Sequence, residues 1–388
     1  MELKTEQIFF ELLRCEMNGV TLLEEIKNLI TLEKLPALFK LSKQHDLVHL
    51  VADALDKNGL LPENTEARKR FLQERNMAIY RYEQIQYELE QICETLEEAK
   101  ISFLPLKGSV LRTFYPEPWM RTSCDIDVLV REETLLQAID CLKKQLRYTV
   151  GEKSLHDISL FSESGIHLEL HFDLIEDFIF ERDKKILENV WELSSVKEGK
   201  QYHFEMSDEA FYFYHIAHMA KHFKNGGCGV RPVLDDWILT ARTDNERARE
   251  DLLRKGGLNE FAEKVHSLSD CWFNERPHNA LTAEMEQYIL KGGVYGNSEN
   301  RAVVQQIKKG GKLRALLVRV FLPLEMLKIQ YSILEKHKIL LPFCQIARWF
   351  RLLFSKRFKS VKQEIQTNMS ISKDAKSRTE NLLRDLGL

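Results

Sequence analysis

Two aspartates that are separated by one residue, Asp125 and Asp127, are the side chains of this sequence best suited to chemistry. In the run Asp125–Val130 they alternate with apolar residues, so on an extended strand both carboxylates point to the same side. Their Cα atoms then lie roughly 7 Å apart. Carboxylates on one rigid face repel each other unless a cation lies between them. We therefore predict that they bind Mg²⁺ or Mn²⁺, as in phosphoryl or nucleotidyl transfer.

A third acidic residue, Glu169, lies in the most regular alternating segment of the chain, 165–173. The pattern predicts a strand with the apolar side chains on one face and Glu169 on the other. Three carboxylates on two strands are sufficient to bind two metal ions together with phosphate oxygens. The third carboxylate can also polarise an acceptor hydroxyl. We predict that the catalytic and metal-binding residues are Asp125, Asp127 and Glu169.

Gly108 and Ser109 follow a short apolar run, 101–106, and open a predicted helix. Backbone amides at a helix N terminus bind phosphate, and glycine lets the phosphate approach closely. Lys107 and Arg121 are the nearest cations, and either can hold a triphosphate. We predict that a nucleotide binds to Lys107, Gly108, Ser109 and Arg121.

Simpler readings exist for several of these residues. An Asp-x-Asp pair such as Asp125 and Asp127 often lies on an exposed edge strand or in a turn. Lys107 is alternatively a solvated charge, and Arg121 alternatively pairs with Asp125. Asp235 and Asp236 are better interpreted as a salt-bridged helix start than as catalytic residues.

Histidines form a second group of candidates. His215, His218 and His222 fall on one helical face, but no glutamate follows His218 as in the zinc metalloprotease motif. They are therefore interpreted first as residues that line a cleft or are partly buried. His218 and His222 alternatively contact the nucleotide or the acceptor. His171 either supports Glu169 as a ligand or is an ordinary polar strand residue.

The elements that must position these residues change character twice along the chain. Helical periodicity dominates 1–96, short strands dominate 97–205, and helical periodicity returns over 206–388. This order predicts an α+β fold in which a small mixed β-sheet core lies between helical N-terminal and C-terminal regions.

Composition narrows the class of protein. The chain has 388 residues, of which 44% are hydrophobic and 30% charged, and its net charge of −3 by itself indicates neither a nucleic-acid binder nor a disordered acidic protein. Seven cysteines without CxxC spacing favour a reducing compartment over a disulfide framework or a zinc site. Neither a signal-peptide pattern nor an apolar stretch of about eighteen residues is present, so we expect a cytoplasmic protein without a transmembrane segment.

Basic residues are concentrated in 312–362. That stretch has twelve Lys and Arg against Glu325 and Glu335, a local charge of 12 − 2 = +10. Such a stretch can bind RNA or an anionic membrane surface, so RNA is a candidate partner. A solvated amphipathic helix is the simpler alternative.

The sequence also resembles a known family. A Gly-Ser turn, an Asp-x-Asp strand and a third acidic strand form the pattern of the polymerase-beta-like nucleotidyltransferase superfamily, and the longer run is similar to its bacterial branch of uncharacterised nucleotidyltransferases. The likeness is carried by 104–108, 115, 121, 125–130, 168–171, 218–222, 227–236, 321–323 and 340–342. It implies a nucleotidyltransferase core and Mg²⁺-dependent transfer of a nucleoside monophosphate from an NTP to an acceptor that it does not identify. A non-catalytic RNA- or partner-binding protein on this fold and a metal-dependent phosphohydrolase are the alternatives.

Overall fold

The computed structural model contains a five-stranded mixed sheet that carries the predicted acidic residues. Its strands are β1 (Phe103–Pro105), β2 (Asp125–Val130), β3 (Thr149–Lys153), β4 (Asp157–Phe161) and β5 (His167–His171). They are ordered β1-β2-β5-β4-β3; β2 and β5 are parallel, and the other neighbours are antiparallel. The α+β fold with a small mixed sheet is thus confirmed.

The structure describes residues 4–174, 180–241, 245–294, 296, 298–311, 314, 317, 320–353, 366–367 and 369–388. They form two compact units. The first comprises Met1–Lys221 with Val230–Glu286, and the second His222–Gly229 with Gln287–Leu388. The division of the sequence at 96 and 205 stays a prediction.

Helices account for most of the remaining described chain. The first of them are α1 (Thr5–Asn18), α2 (Glu24–Lys27), α3 (Leu35–Gln44), α4 (Val48–Lys57), α5 (Glu66–Glu98), α6 (Gly108–Leu111), α7 (Leu135–Leu146), α8 (Glu181–Glu188) and α9 (Asp208–Lys224). They are followed by α10 (Arg231–Thr240), α11 (Glu246–Gly256), α12 (Asn259–Phe273), α13 (Ala280–Gly292), α14 (Ser298–Lys308), α15 (Leu324–Gln330), α16 (Ile333–Lys336), α17 (Leu341–Leu353) and α18 (Lys373–Asp385). A separate hairpin, β6 (Ser194–Val196) and β7 (Phe204–Met206), lies beside β1.

One face of the sheet is buried against α5 and α7, and this determines which way the acidic residues point. Ile126, Val128 and Val130 of β2 are fully buried, together with Leu168 and Leu170 of β5. Because side chains alternate along a strand, the residues between them must lie on the opposite face. The polar face of the sheet therefore carries the candidate site.

The second unit is helical in its described part. Its α14 and α18 pack together, and a small apolar cluster contains Leu327 and Leu334. Within the basic 312–362 stretch, Arg348 is buried and donates to the Val320 carbonyl, while 354–362 lies outside the described residues. In the part of the chain that the structure describes, no helix has both the length and the apolar character needed to cross a membrane.

Candidate metal and nucleotide site

The parallel pairing of β2 with β5 brings the three predicted carboxylates together. Asp127 lies opposite Glu169, and Asp125 lies opposite His167. Residues in register on adjacent strands point to the same face, so all three acids extend from the polar face of the sheet. Asp127 is buried, whereas Asp125 is partly exposed and the side chain of Glu169 is 26% exposed.

Asp127 is surrounded by hydrogen-bond donors. Its Oδ1 atom accepts from Lys107 Nζ at 2.9 Å and from His171 Nε2 at 2.9 Å. Burial alone would raise the pKa of Asp127, but the Lys107 charge and the His171 hydrogen bond hold it well below its usual range. These two donors also hold the carboxylate in a fixed position. His171 thus supports Asp127 directly, and its ring lies 3.6 Å from Glu169.

Asp125 lies in the opposite electrostatic environment. Burial, followed by the negative charges of Asp127 and Glu169, raises its pKa above the usual range. A cation bound between these carboxylates would relieve that repulsion. The site offers two groups of possible ligand atoms, and within each group the atoms lie within 4.8 Å of one another. One group comprises Asp125, His167 and Glu169, and the other comprises Asp127, Glu169 and His171.

The ligand chemistry fits a hard divalent cation. The Nε2 atom of His171 is hydrogen-bonded to Asp127, and that of His167 lies 3.0 Å from Ser159 Oγ. Carboxylate oxygens are therefore the better ligands here, and they suit Mg²⁺ or Mn²⁺. Glu169 belongs to both groups, so it can bridge two ions.

Lys107 is held by its backbone as well as by its ion pair. Its φ of +43° and ψ of −118° form a conformation that L residues rarely adopt and that costs about 1–3 kcal/mol. The Lys107 ammonium is only partly exposed and is bound to Asp127, so it is not simply solvated. Burial opposes its charge, yet nearby Tyr214 and Asp127 raise the pKa of Lys107.

Gly108 begins the short helix α6 and packs tightly. A Cβ atom at this position would approach the Cβ of Ser123 to 3.1 Å. The carbonyl of Gly108 accepts from Arg112 Nε at 2.9 Å, and Arg112 Nη2 donates to Ser123 Oγ at 2.7 Å. The buried Arg112 therefore links the Lys107–Gly108 turn to the start of β2. Sequence reasoning missed it, although an arginine four residues after a helix-opening glycine can reach that carbonyl.

Ser109 lies away from the carboxylates. It is 8% exposed and lines a different cavity of about 730 Å³, together with Phe114 and Phe211. Among the described residues, its Oγ atom finds no hydrogen-bond partner. Its backbone amide donates to the Leu106 carbonyl oxygen at 3.1 Å, so a contact of Ser109 with phosphate stays a prediction.

Arg121 pairs with an acid, but its partner is Asp235 rather than Asp125. Arg121 Nε donates to Asp235 Oδ1 at 2.8 Å, and the Tyr115 hydroxyl donates to the same oxygen at 2.7 Å. Asp235 is fully buried, and the Arg121 side chain is 12% exposed. This cluster ties the segment before β2 to α10. A contribution of Arg121 to nucleotide binding stays a prediction.

Helix α9 adds residues that sequence reasoning underused. Tyr214, His218 and Lys221 line a small cavity with His171. They are spaced as i, i+4 and i+7, which places them on one helical face. Burial and the charge of Lys107 lower the pKa of Lys221 to about 8. Tyr214 and Lys221 could have been identified in the sequence, because they share a helical face with the predicted residue His218.

The three predicted histidines of α9 do not share one environment. His218 lines the same small cavity as His171, whereas the Nε2 atom of His215 lies 3.1 Å from the carbonyl oxygen of Pro232. His222 belongs to the second unit.

The structure thus combines a mixed sheet, clustered carboxylates on its polar face and a lysine turn beside them. A family model described as uncharacterised nucleotidyltransferase matches residues 33–274, which include all of the candidate site residues. This chain belongs to that nucleotidyltransferase family. The same comparisons found no match among curated proteins or solved structures.

Proposed function

We propose that this protein is a Mg²⁺- or Mn²⁺-dependent nucleotidyltransferase that transfers a nucleoside monophosphate from an NTP to an acceptor hydroxyl or phosphate. The observation that carries the proposal is the convergence of Asp125, Asp127 and Glu169 on one sheet face of a nucleotidyltransferase-family chain. The pattern of a Gly-Ser turn and acidic strands supports a place in the bacterial branch of the polymerase-beta-like superfamily.

In this proposal the three carboxylates hold the metal. A divalent cation bound there would supply charge neutralisation for the phosphates of the nucleotide. Asp127 is already ionised and fixed by Lys107 and His171, so it needs no rearrangement to serve as a ligand. Asp125 and Glu169 contribute negative charge that would attract the cation.

The two sides of the acids receive different substrates. In-line transfer places the attacking and leaving oxygens on opposite sides of the phosphorus. Lys107 and Gly108 follow β1 and lie on that side of Asp127, so we place the triphosphate there, with Arg121 as a further candidate contact. Lys221 adds positive charge from the β5 side, where it lines a cavity with His171. Glu169 lies on the opposite side, on β5, where its carboxylate can accept the proton of the acceptor hydroxyl.

Calorimetry tests this assignment. The wild-type protein should bind an NTP only when Mg²⁺ or Mn²⁺ is present, and Asp127→Asn should abolish that binding. Glu169→Gln serves as a second variant because Glu169 is partly exposed and its loss disturbs the fold less. Asp140→Asn, at an exposed position on α7, is the matched control. Unchanged NTP binding in both site variants would refute the metal assignment.

The products separate the remaining alternatives. Incubation with each α-labelled NTP and a cell extract should transfer label to one fraction and release pyrophosphate. Release of inorganic phosphate alone would indicate a metal-dependent phosphohydrolase instead. Salt-dependent RNA binding that survives the loss of all three acids would favour a non-catalytic binding protein.

A further inference from the structure

The polar face of the sheet continues past the carboxylates onto β4. Ser159 pairs with Glu169, and Phe161 pairs with His167, which itself pairs with Asp125. The aromatic side chain of Phe161 therefore lies in the same row as Asp125, two strands away. It occupies the side of the acids that faces away from Lys107.

Phe161 forms a flat stack that is open to solvent. Its ring lies against the His167 imidazole with centroids 4.8 Å apart and planes inclined by 15°. The imidazole is oriented by its contact with Ser159 Oγ at 3.0 Å. Despite this stacking, Phe161 is 39% exposed. A stacked aromatic pair can stabilise a sheet, but that role requires no exposed ring.

Gly151 on the neighbouring strand β3 provides room for this ring. A Cβ atom there would lie 2.8 Å from Cε2 of Phe161 and 3.3 Å from the Ser159 carbonyl oxygen. Any side chain at 151 would thus push the Phe161 ring from its position. Glycine within a strand often marks such a close approach.

We propose, building on the function proposed above, that the Phe161–His167 stack binds the ring of a nucleoside-type acceptor. In-line transfer already places the acceptor on the Glu169 side of the phosphorus, and Phe161 lies on that side. The Cα atoms of Glu169 and Phe161 lie roughly 8 Å apart, from the strand rise and spacing. This separation suits a molecule whose sugar hydroxyl meets Glu169 while its base stacks on Phe161.

The surrounding charges favour a neutral ring over an anionic one. Asp125, Asp157 and Glu169 all extend from the same face as the stack. A base is uncharged and has a π face, so it meets this surface without like-charge repulsion. The hydroxyl of a free nucleoside and that of a terminal RNA nucleotide share this chemistry.

Fluorescence of 2-aminopurine riboside, which is quenched by stacking, tests the proposal in the presence of Mg²⁺. The wild type should bind and quench the probe, and Phe161→Ala should weaken binding about tenfold or more, the loss expected for one stacked base. Phe161→Leu, which keeps apolar volume but removes the π face, should also lose quenching, whereas Phe161→Trp should retain it. Gly151→Ala should weaken binding by displacing the ring. Tyr87→Ala, at a 63% exposed aromatic on α5, is the matched control.

Three results would overturn the proposal: no quenching by the wild type, equal affinity in Phe161→Ala, or an equal loss of Mg²⁺–NTP affinity in Phe161→Ala. The last result would assign the stack to the donor nucleotide. A wild type that fails to bind Mg²⁺–NTP would instead refute the function proposed above. An oligoribonucleotide ending in 2-aminopurine distinguishes the two sources, because tighter binding than the riboside indicates an RNA end.

Discussion

The two aspartates of β2 are separated by one residue but differ in almost every physical respect. Asp127 is buried, and it accepts hydrogen bonds from Lys107 and His171. Asp125 is partly exposed, and its strongest charged neighbours are the carboxylates of Asp127 and Glu169. The pKa of Asp127 is accordingly lowered, and that of Asp125 is raised.

In the proposed metal site, this difference separates two tasks. The enclosed end, at Asp127, has its own internal cations, so it stays ionised and ordered in the resting protein. The open end, at Asp125 and Glu169, has excess negative charge that an incoming cation neutralises. In the proposed metal site, Asp127 thus holds the cluster together, and Asp125 favours the binding of a cation.

The largest expected effect is on stability, from Asp127→Asn. Removing this charge leaves the partly exposed Lys107 and the buried His171 without their ionic partner, and breaking a buried pair costs about 3–5 kcal/mol. Urea denaturation at pH 7 should show this loss in the free energy of unfolding. The exposed control Asp140→Asn should change it by less than about 0.5 kcal/mol. Equal stability of the two variants would contradict an enclosed, internally paired end.

Asp125→Asn should do the opposite. It removes a repelled carboxylate, so the free energy of unfolding should stay the same or rise by up to about 1 kcal/mol. Mn²⁺ affinity, measured by calorimetry with NTP present, should nevertheless fall by at least about tenfold. Loss of a residue that merely hydrogen-bonds to a metal ligand already reduces metal affinity by about that factor. A variant that loses stability and keeps its Mn²⁺ affinity would reverse the roles of the two aspartates.

The pH dependence of stability should distinguish the same two residues. Because the pKa of Asp127 is lowered by folding, its ionised carboxylate stabilises the fold at any pH above the unfolded pKa of about 3.9. This stabilisation is lost only as the pH falls from there towards the folded pKa. Because the pKa of Asp125 is raised by folding, its ionised carboxylate destabilises the fold at any pH above the folded pKa. This destabilisation disappears as the pH falls to about 3.9, the unfolded pKa. The stability gained in Asp125→Asn should therefore vanish as the pH falls from 7 to below 4.

In Asp127→Asn, by contrast, the deficit should persist at pH 4 and shrink only in stronger acid. Urea denaturation of both variants and the wild type across this range provides the measurement. Parallel curves for the two variants would show that Asp125 and Asp127 share one environment, contrary to the structure.

Much of the acidic face could be predicted because alternation is a local property. Ile126, Val128 and Val130 must be buried together, so Asp125 and Asp127 must face the other way. The same reasoning correctly oriented Glu169. It did not give the parallel register that sets Asp127 opposite Glu169, because register depends on contacts between distant segments.

The partners of the cations were beyond sequence reasoning for the same physical reason. Arg121 bonds to Asp235, which is 114 residues away, and nothing in the composition of either segment selects that pair over Asp125. Lys107 pairs with Asp127 from a turn whose rare backbone conformation the sequence does not reveal. Lys221 lines a cavity with His171 at the end of β5, and no local pattern reveals that α9 comes this close to the sheet.

The smallest expected effect concerns Lys221 at the enclosed end. Its pKa of about 8 means that it is charged at pH 7 and largely neutral at pH 9. If its charge contributes to triphosphate binding, the wild-type affinity for Mg²⁺–NTP should fall between these values by about fivefold or less, the scale of a partly exposed ion pair. Lys221→Met should bind more weakly at pH 7 by the same factor and show no further loss at pH 9. Lys144→Met, at an exposed lysine on α7, should keep the wild-type profile. A Lys221→Met profile that still falls with pH would assign the titration to another group and would leave Lys107 as the cation that faces the phosphates.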